Sequence, residues 1–292
     1  MKFEGIITPL VTPFNEQQEI NYEATAQLIE HLIAHGVKGL FILGSNGEFH
    51  VMEEEEKIAF AKFVIEKTNQ RVPVYVGTGG NSTAAVIRLS KKMEELGADA
   101  LSVITPYFIA PKEHELIEHY KMIANAVTLP IILYNIPKST GINLSYEVVR
   151  ELAHIKNIVA IKDSSGNMEN MKNYLKAAQG NEFEVLVGSD SKMLEAFKMG
   201  ATAAVAGTSN LLTDIDVAIY DNFKYGNLDK AEHFQKEIEP LRDVLKLGTV
   251  PSVLKKAVHL MGIPVGDARY PVCELSAEAI EKIKIMLAYY KM

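Results

Sequence analysis

Lys162 is the only charged side chain in the apolar run Ile158-Val159-Ala160-Ile161-Lys162, and Asp163 follows it. A lysine ending such a run either reaches along its stem to solvent or lies inside a cavity. Out of water the neutral amine gains on the ammonium, and a neutral amine attacks carbonyls to form an imine. On pattern alone the solvent-reaching lysine is the simpler of the two. Tyr134 ends the run Ile131-Ile132-Leu133 in the same way. It could move protons beside an imine, or it could be a packed core tyrosine. Gly44-Ser45-Asn46-Gly47-Glu48 brackets a hydroxyl and an amide between two glycines. That pattern makes either a plain turn or a loop of exposed backbone N–H groups that nests an anion.

Other polar groupings carry less chemistry. Gly77-Thr78-Gly79-Gly80 lacks the third spaced glycine and the later acid of a dinucleotide loop. His31 and His35 share a helix face but have no glutamate between them as in a zinc protease helix, so they read as surface residues. The acids at 53–56 suit the positive end of a helix dipole. The segment Thr8-Pro9-Leu10-Val11-Thr12-Pro13-Phe14 contains no His-x-His, so no metal-dependent barrel hydrolase and no metal site are expected.

Positioning these groups falls to short β-branched runs at 6–7, 40–43, 74–76, 100–104, 131–134, 159–162, 185–187 and 203–206. They recur at intervals of about 30 residues, the length of a βαβ unit. Between them apolar residues keep helical spacing, as in Leu28, Ile29, Leu32 and Ile33 before the stop at Gly36. Strands buried on both faces and separated by helices imply a parallel sheet. Eight units predict an α/β fold, a (β/α)₈ TIM barrel over 1–225, whose chemistry sits at the C-terminal ends of its strands. A doubly wound open sheet uses the same alternation and is the rival. From 226 to 292 the pattern is helical without strands, with helices at 228–247, 251–261 and 276–290. Pro251 suits the first turn of its helix, and Ser276 with Glu278 opens the last. This C-terminal helical region is expected to pack on the barrel.

The 292 residues carry a formal charge of −7, with 48% hydrophobic and 23% charged side chains. These are ordinary values for a globular chain. The acidity argues against nucleic acid as a partner. A single cysteine, Cys273, excludes an internal disulfide framework and fits a reducing compartment. No apolar run is long enough to span a bilayer, and the start lacks the stretch of a signal peptide. A soluble, cytoplasmic protein without membrane partners is expected.

Five segments in order carry a family likeness: Thr8-Pro9 with Thr12-Pro13-Phe14, Gly44-Ser45-Asn46-Gly47-Glu48, Thr105-Pro106-Tyr107, Tyr134-Asn135-Ile136-Pro137, and Ile161-Lys162-Asp163-Ser164. The chain resembles the pyruvate-dependent class I aldolases of the dihydrodipicolinate synthase and N-acetylneuraminate lyase family. The likeness extends through the helical tail and favours the chemical readings of Lys162 and Tyr134. It implies that Lys162 forms a Schiff base with pyruvate and that Tyr134 gives and takes the proton. Ser45 and Asn46 would hold the pyruvate carboxylate, and the main chain of Val205 would touch pyruvate. No cofactor is implied, and the assembly would be a homotetramer, a dimer of dimers.

Departures bear on the second substrate. The synthase arginine after the strand-five tyrosine corresponds to Ser139, beside Lys138, which lacks the guanidinium fork. Phe108 stands where the synthase has a second tyrosine, and Ser45-Asn46 replaces its threonine pair. Ser164 and Asp190 match sugar-hydroxyl ligands of the lyase, but Ser191 and Gly207 replace its glutamate and serine. The 2-keto-3-deoxy sugar acid aldolases are most similar around 39–49 and 71–74. The resemblance thus implies aldol cleavage of a 2-keto-3-deoxy sugar acid to pyruvate and an aldehyde, with Ser139, Thr140, Ser164, Gly188 and Asp190 around the substrate. The alternatives are condensation of pyruvate with aspartate semialdehyde, N-acetylneuraminate cleavage, and a non-catalytic small-molecule sensor.

Overall fold

A computed structural model describes residues 2–292. Eight parallel strands run in sequence order: β1 (Gly5–Pro9), β2 (Gly39–Ile42), β3 (Val74–Gly77), β4 (Ala100–Ile104), β5 (Ile131–Asn135), β6 (Ile158–Asp163), β7 (Glu184–Val187) and β8 (Ala203–Val205). β1 pairs with β8, Ile7 against Val205, so the sheet closes and the open-sheet rival is excluded. Strand β2 stops one residue earlier than the apolar run implies, because Leu43 takes a left-handed φ of 56°.

Helices α1 (Tyr22–Ala34), α2 (Glu54–Thr68), α3 (Thr83–Glu95) and α4 (Glu113–Ala126) cover the first half of the barrel. A single turn, α5 (Pro137–Thr140), precedes α6 (Tyr146–Leu152), and α7 (Met168–Ala178), α8 (Met193–Met199) and α9 (Thr213–Lys224) complete the ring. Asn21, Ser82, Ser145 and Asn167 cap their helices by accepting first-turn N–H groups. Glu53 and Glu56 form a capping box at the start of α2, which is what the acidic run at 53–56 does.

The C-terminal region differs from expectation in two places. Instead of one helix over 228–247 the chain forms α10 (Leu228–Glu237), α11 (Glu239–Val244) and a 3₁₀ turn at Leu245–Leu247. Pro240 forces the break, since it has no N–H and its ring clashes with the preceding turn. Pro251 lies just before α12 (Ser252–Leu260) rather than inside its first turn. The last helix, α13 (Ala277–Tyr289), is capped by Ser276 as the sequence implies.

Two apolar layers result from strand alternation. One lies between the outer strand faces and the helices, with Leu40, Leu101, Leu133 and Ile161 on the strand side. The other fills the barrel with Ile7, Phe41, Tyr75, Ile132, Ala160, Leu186 and Val205. Phe3 and Tyr75 plug its lower end with ring centroids 5.4 Å apart. Among the described residues no helix is long and apolar enough to cross a membrane.

Candidate active site

Strand register does the first part of the positioning. In β5 and β6, Ile132 pairs with Ala160 and both point into the barrel, so Tyr134 and Lys162, two residues on, point inward as well. They are direct register partners at the C-terminal rim. The next rung, Asn135 against Asp163, faces the other way and fastens the loops. Asn135 Nδ2 donates to Asp163 Oδ1 at 2.9 Å, and Asn135 Oδ1 accepts from Leu144 N at 3.0 Å. Ser165 donates to Asp163 through both its hydroxyl and its backbone N–H. Burial raises the Asp163 carboxyl above its ordinary range against these hydrogen bonds. Asn135 and Asp163 were not singled out in the sequence, although they follow the two rim residues directly.

Lys162 is 4% exposed, and aromatic faces surround its ammonium. Its Nζ lies 3.9 Å from the Tyr134 ring centroid and 4.5 Å from that of Phe41. Gly188 leaves it room: a Cβ there would come within 2.1 Å of Ser164 Oγ and 3.0 Å of Lys162 Cε. A buried amine walled by rings, with no carboxylate bonded to it among the described residues, is available to a carbonyl once deprotonated.

Across the mouth stands the glycine loop. Glu48 N closes it on Ser45 O at 3.2 Å. The backbone N–H groups of Ser45 and Asn46 have no acceptor among the described residues, and both residues line the cavity. These are the features of an anion nest, not of a turn that has spent its donors. Ser45 Oγ lies 3.3 Å from Tyr134 Oη, a long hydrogen bond joining loop to strand.

A cavity of about 710 Å³ opens above these groups. It brings together the ten positions expected to act on or hold the substrate, namely Ser45, Asn46, Tyr134, Ser139, Thr140, Lys162, Ser164, Gly188, Asp190 and Val205, while Phe108 and Ser191 do not line it. Their availability differs. Ser164 keeps its hydroxyl free of hydrogen bonds among the described residues, while Thr140 Oγ1 donates within its own loop, to Ile136 O and Ile142 O. Thr140 therefore shapes the loop more than it offers a hydroxyl to a ligand. Asp190 accepts from Gly207 N at 2.9 Å, and burial raises its carboxyl against the pull of Arg242.

Arg242, on α11, is a charged group at the cavity that sequence reasoning missed. It lines the cavity with Lys138, and its guanidinium is 3.6 Å from Asp190 Oδ2. No local pattern marks it, since only the packing of α11 beside the barrel mouth brings it there. Among the described residues no group of three His, Cys, Asp or Glu side chains could hold a metal ion.

The model of the dihydrodipicolinate synthetase family matches residues 2–289. The chain belongs to that family. It is 37% identical over 287 residues to 4-hydroxy-tetrahydrodipicolinate synthase 1 of Halalkalibacterium halodurans, covering 98% of this chain and 97% of that protein. Among solved structures, dihydrodipicolinate synthase from Thermotoga maritima superposes with a TM-score of 0.96 at 30% identity, over 100% of this chain and 99% of that one. YagE, a prophage protein of the same family from Escherichia coli K12 in complex with pyruvate, gives 0.94 at 33% identity, over 99% of both. The family's members are class I lyases and aldolases that work through a lysine Schiff base. This chain is accordingly a pyruvate-dependent aldolase of the dihydrodipicolinate synthase family.

Proposed function

We propose that the chain condenses pyruvate with aspartate semialdehyde, as a 4-hydroxy-tetrahydrodipicolinate synthase, with Lys162 as the Schiff-base residue. The Lys162 amine adds to C2 of pyruvate, and loss of water leaves an iminium. The Ser45 and Asn46 N–H groups hold the pyruvate carboxylate. Tyr134, having given its hydroxyl proton to the departing water, takes one back from C3, which drains the iminium charge and forms an enamine that attacks the aldehyde carbon. Tyr134 then returns that proton to the new alkoxide, from a hydroxyl that lies 3.3 Å from Ser45 Oγ. The product's own amine then displaces Lys162 and closes the ring, returning the free lysine.

Arg242 carries the choice of second substrate. Ser139 in the place of the synthase arginine favours a neutral sugar aldehyde only if the mouth lacks another cation. Arg242 and Lys138 both line the cavity, so a carboxylate-bearing aldehyde has a counterion available. The names of the curated relatives point the same way. This replaces the sugar-acid preference drawn from Ser139. Cleavage of a 2-keto-3-deoxy sugar acid stays as the second reading, favoured by the free Ser164 hydroxyl and by Asp190 at the wall. The deciding measurement is kcat/KM for aspartate semialdehyde condensation beside cleavage of 2-keto-3-deoxygluconate and N-acetylneuraminate. A preference for aspartate semialdehyde of about tenfold or more is expected, the scale of one charge-assisted hydrogen bond. A preference for either sugar acid overturns the synthase reading. The assembly is read as the homotetramer that the family resemblance implies, and sedimentation equilibrium tests it.

A further inference from the structure

We propose that the buried Lys255–Glu48 ion pair, backed by Arg269, holds the 44–48 loop in the pose that grips the first substrate's carboxylate, so that Glu48 and Lys255 are positioning residues for pyruvate. This rests on the reading of Ser45 and Asn46 as the carboxylate nest. Glu48 ends that loop with φ 56° and ψ 31°, a left-handed conformation that a residue with a side chain keeps only when its surroundings hold it. Both its carboxylate oxygens are engaged. Oε1 accepts from Lys255 Nζ at 2.9 Å, across 207 residues of chain, and Oε2 accepts from Arg269 N at 2.8 Å.

Lys255 is 0% and Glu48 1% exposed, the only ion pair among the described residues with both partners out of solvent. Phe14, from the loop after β1, touches both cations, its ring centroid 4.3 Å from Lys255 Nζ and 4.2 Å from the Arg269 guanidinium. Arg269 in turn donates to Val51 O and to Glu56, fixing the chain that leaves the loop for α2. Thr12 Oγ1 holds the Gly47 carbonyl at 2.7 Å from a third direction. Gly47 and Glu48 are thus fastened on every side, while the N–H groups of Ser45 and Asn46 stay uncommitted.

None of Thr12, Glu48, Lys255 and Arg269 lines the cavity, so they act through the loop and not on the substrate. Stability alone does not account for the pair, because well-packed apolar residues often replace a buried ion pair without loss. What it supplies is direction: hydrogen bonds from two distant parts of the chain pin the Glu48 carboxylate and, through it, the peptide next to the nest. A loop free to rotate there would turn its N–H groups away from the carboxylate.

The test uses Lys255→Met, Glu48→Gln and the double variant in the full-length protein. The readouts are the pyruvate concentration that half-saturates borohydride trapping, KM for the second substrate, and the unfolding temperature. Each single variant is expected to raise the pyruvate half-saturation by about tenfold or more, the effect of a displaced charge-assisted hydrogen bond. KM for the second substrate should move less than about twofold, and the double variant should be no worse than the poorer single one, because the two residues act as a unit. Where Lys255→Met does not fold, Thr12→Val serves instead. It removes only the hydroxyl on Gly47 and should raise the pyruvate half-saturation by about threefold with little change in unfolding temperature. Unchanged half-saturation in the folded variants, or equal losses for both substrates, overturns the positioning role alone. A wild-type protein that traps no pyruvate overturns the nest reading, and the positioning role with it.

Discussion

Two lysines are buried among the described residues, and their surroundings differ. Lys162 ends a barrel strand, faces the rings of Tyr134 and Phe41, and opens onto a cavity of about 710 Å³. Lys255 sits on α12, is sealed from solvent, and is bonded to Glu48. Both ammonium groups lie over aromatic faces, Lys255 over Phe14 at 4.3 Å. Burial and aromatic contact therefore do not distinguish the lysine proposed as nucleophile from one that only pairs a charge. A bonded carboxylate and the absence of a path for substrate do.

Exchanging each lysine for methionine should break the comparison most visibly. Lys162→Met is expected to abolish borohydride trapping and cut turnover by about 10⁴-fold or more, the scale of losing a covalent nucleophile. Its unfolding temperature should hold or rise, because an unpaired buried amine is replaced by an apolar chain of similar length. Lys255→Met should do the reverse to stability. It strands the Glu48 carboxylate, which costs about 3–5 kcal/mol, or roughly 6–20 °C of Tm. Thermal melts and trapping on both variants check this; equal Tm losses in the two would erase the distinction.

A smaller effect sharpens the Lys162 side. Tyr134→Phe keeps the ring that lies against the ammonium and removes only the hydroxyl beside Ser45. Turnover should fall by about 10²–10⁴-fold while pyruvate is still trapped on Lys162. Full-rate turnover in this variant would move the proton transfer to another group.

The smallest effect tests the Lys255 side through pH. Burial pushes its ammonium down from 10.5 to about 8; Glu48 and Asp267 attract the charge, and Arg269 repels it. As pH rises through about 8, the folded protein loses this proton and the bond to Glu48 weakens. The pyruvate half-saturation should then climb by about threefold or more between pH 7.5 and 9. Lys255→Met should start high and stay level over the same range. Stability has the opposite sign: between about 8 and 10.5 the unfolded chain binds more protons, so this lysine's contribution to folding grows with pH. A wild-type half-saturation that is flat across pH 8 would show that the pair does not govern the nest.

Much of the Lys162 side was legible because its signals are local. A charge ending an apolar strand, a tyrosine ending the one before it, and two glycines bracketing Ser45-Asn46 are each readable within a few residues. The alternation of a strand then carries Lys162 and Tyr134 to the same face as Ala160 and Ile132. The other half of the site was not legible. Arg242 follows a helix break that Pro240 causes, and the sequence reading ran straight through that proline. Lys255 reads as one more polar position on an amphipathic helix, because nothing near it names Glu48 as its partner. The sugar-acid preference rested on the same local view: it counted cations in one loop, and a further cation, Arg242, lines the cavity from another element.

The sequence by itself determined the eight βα units and the residues at the strand ends, because periodicity and side-chain type act over one or two turns of chain; the Schiff-base chemistry came from the likeness of five segments to a known family. Tertiary structure alone decided that β1 closes on β8, that Arg242 stands over Asp190, and that Lys255 clamps Glu48 from 207 residues away. Contacts of that kind are set by how packed layers meet. Hydrogen bonds and ion pairs act over a few ångströms of space, whatever the length of chain between the partners.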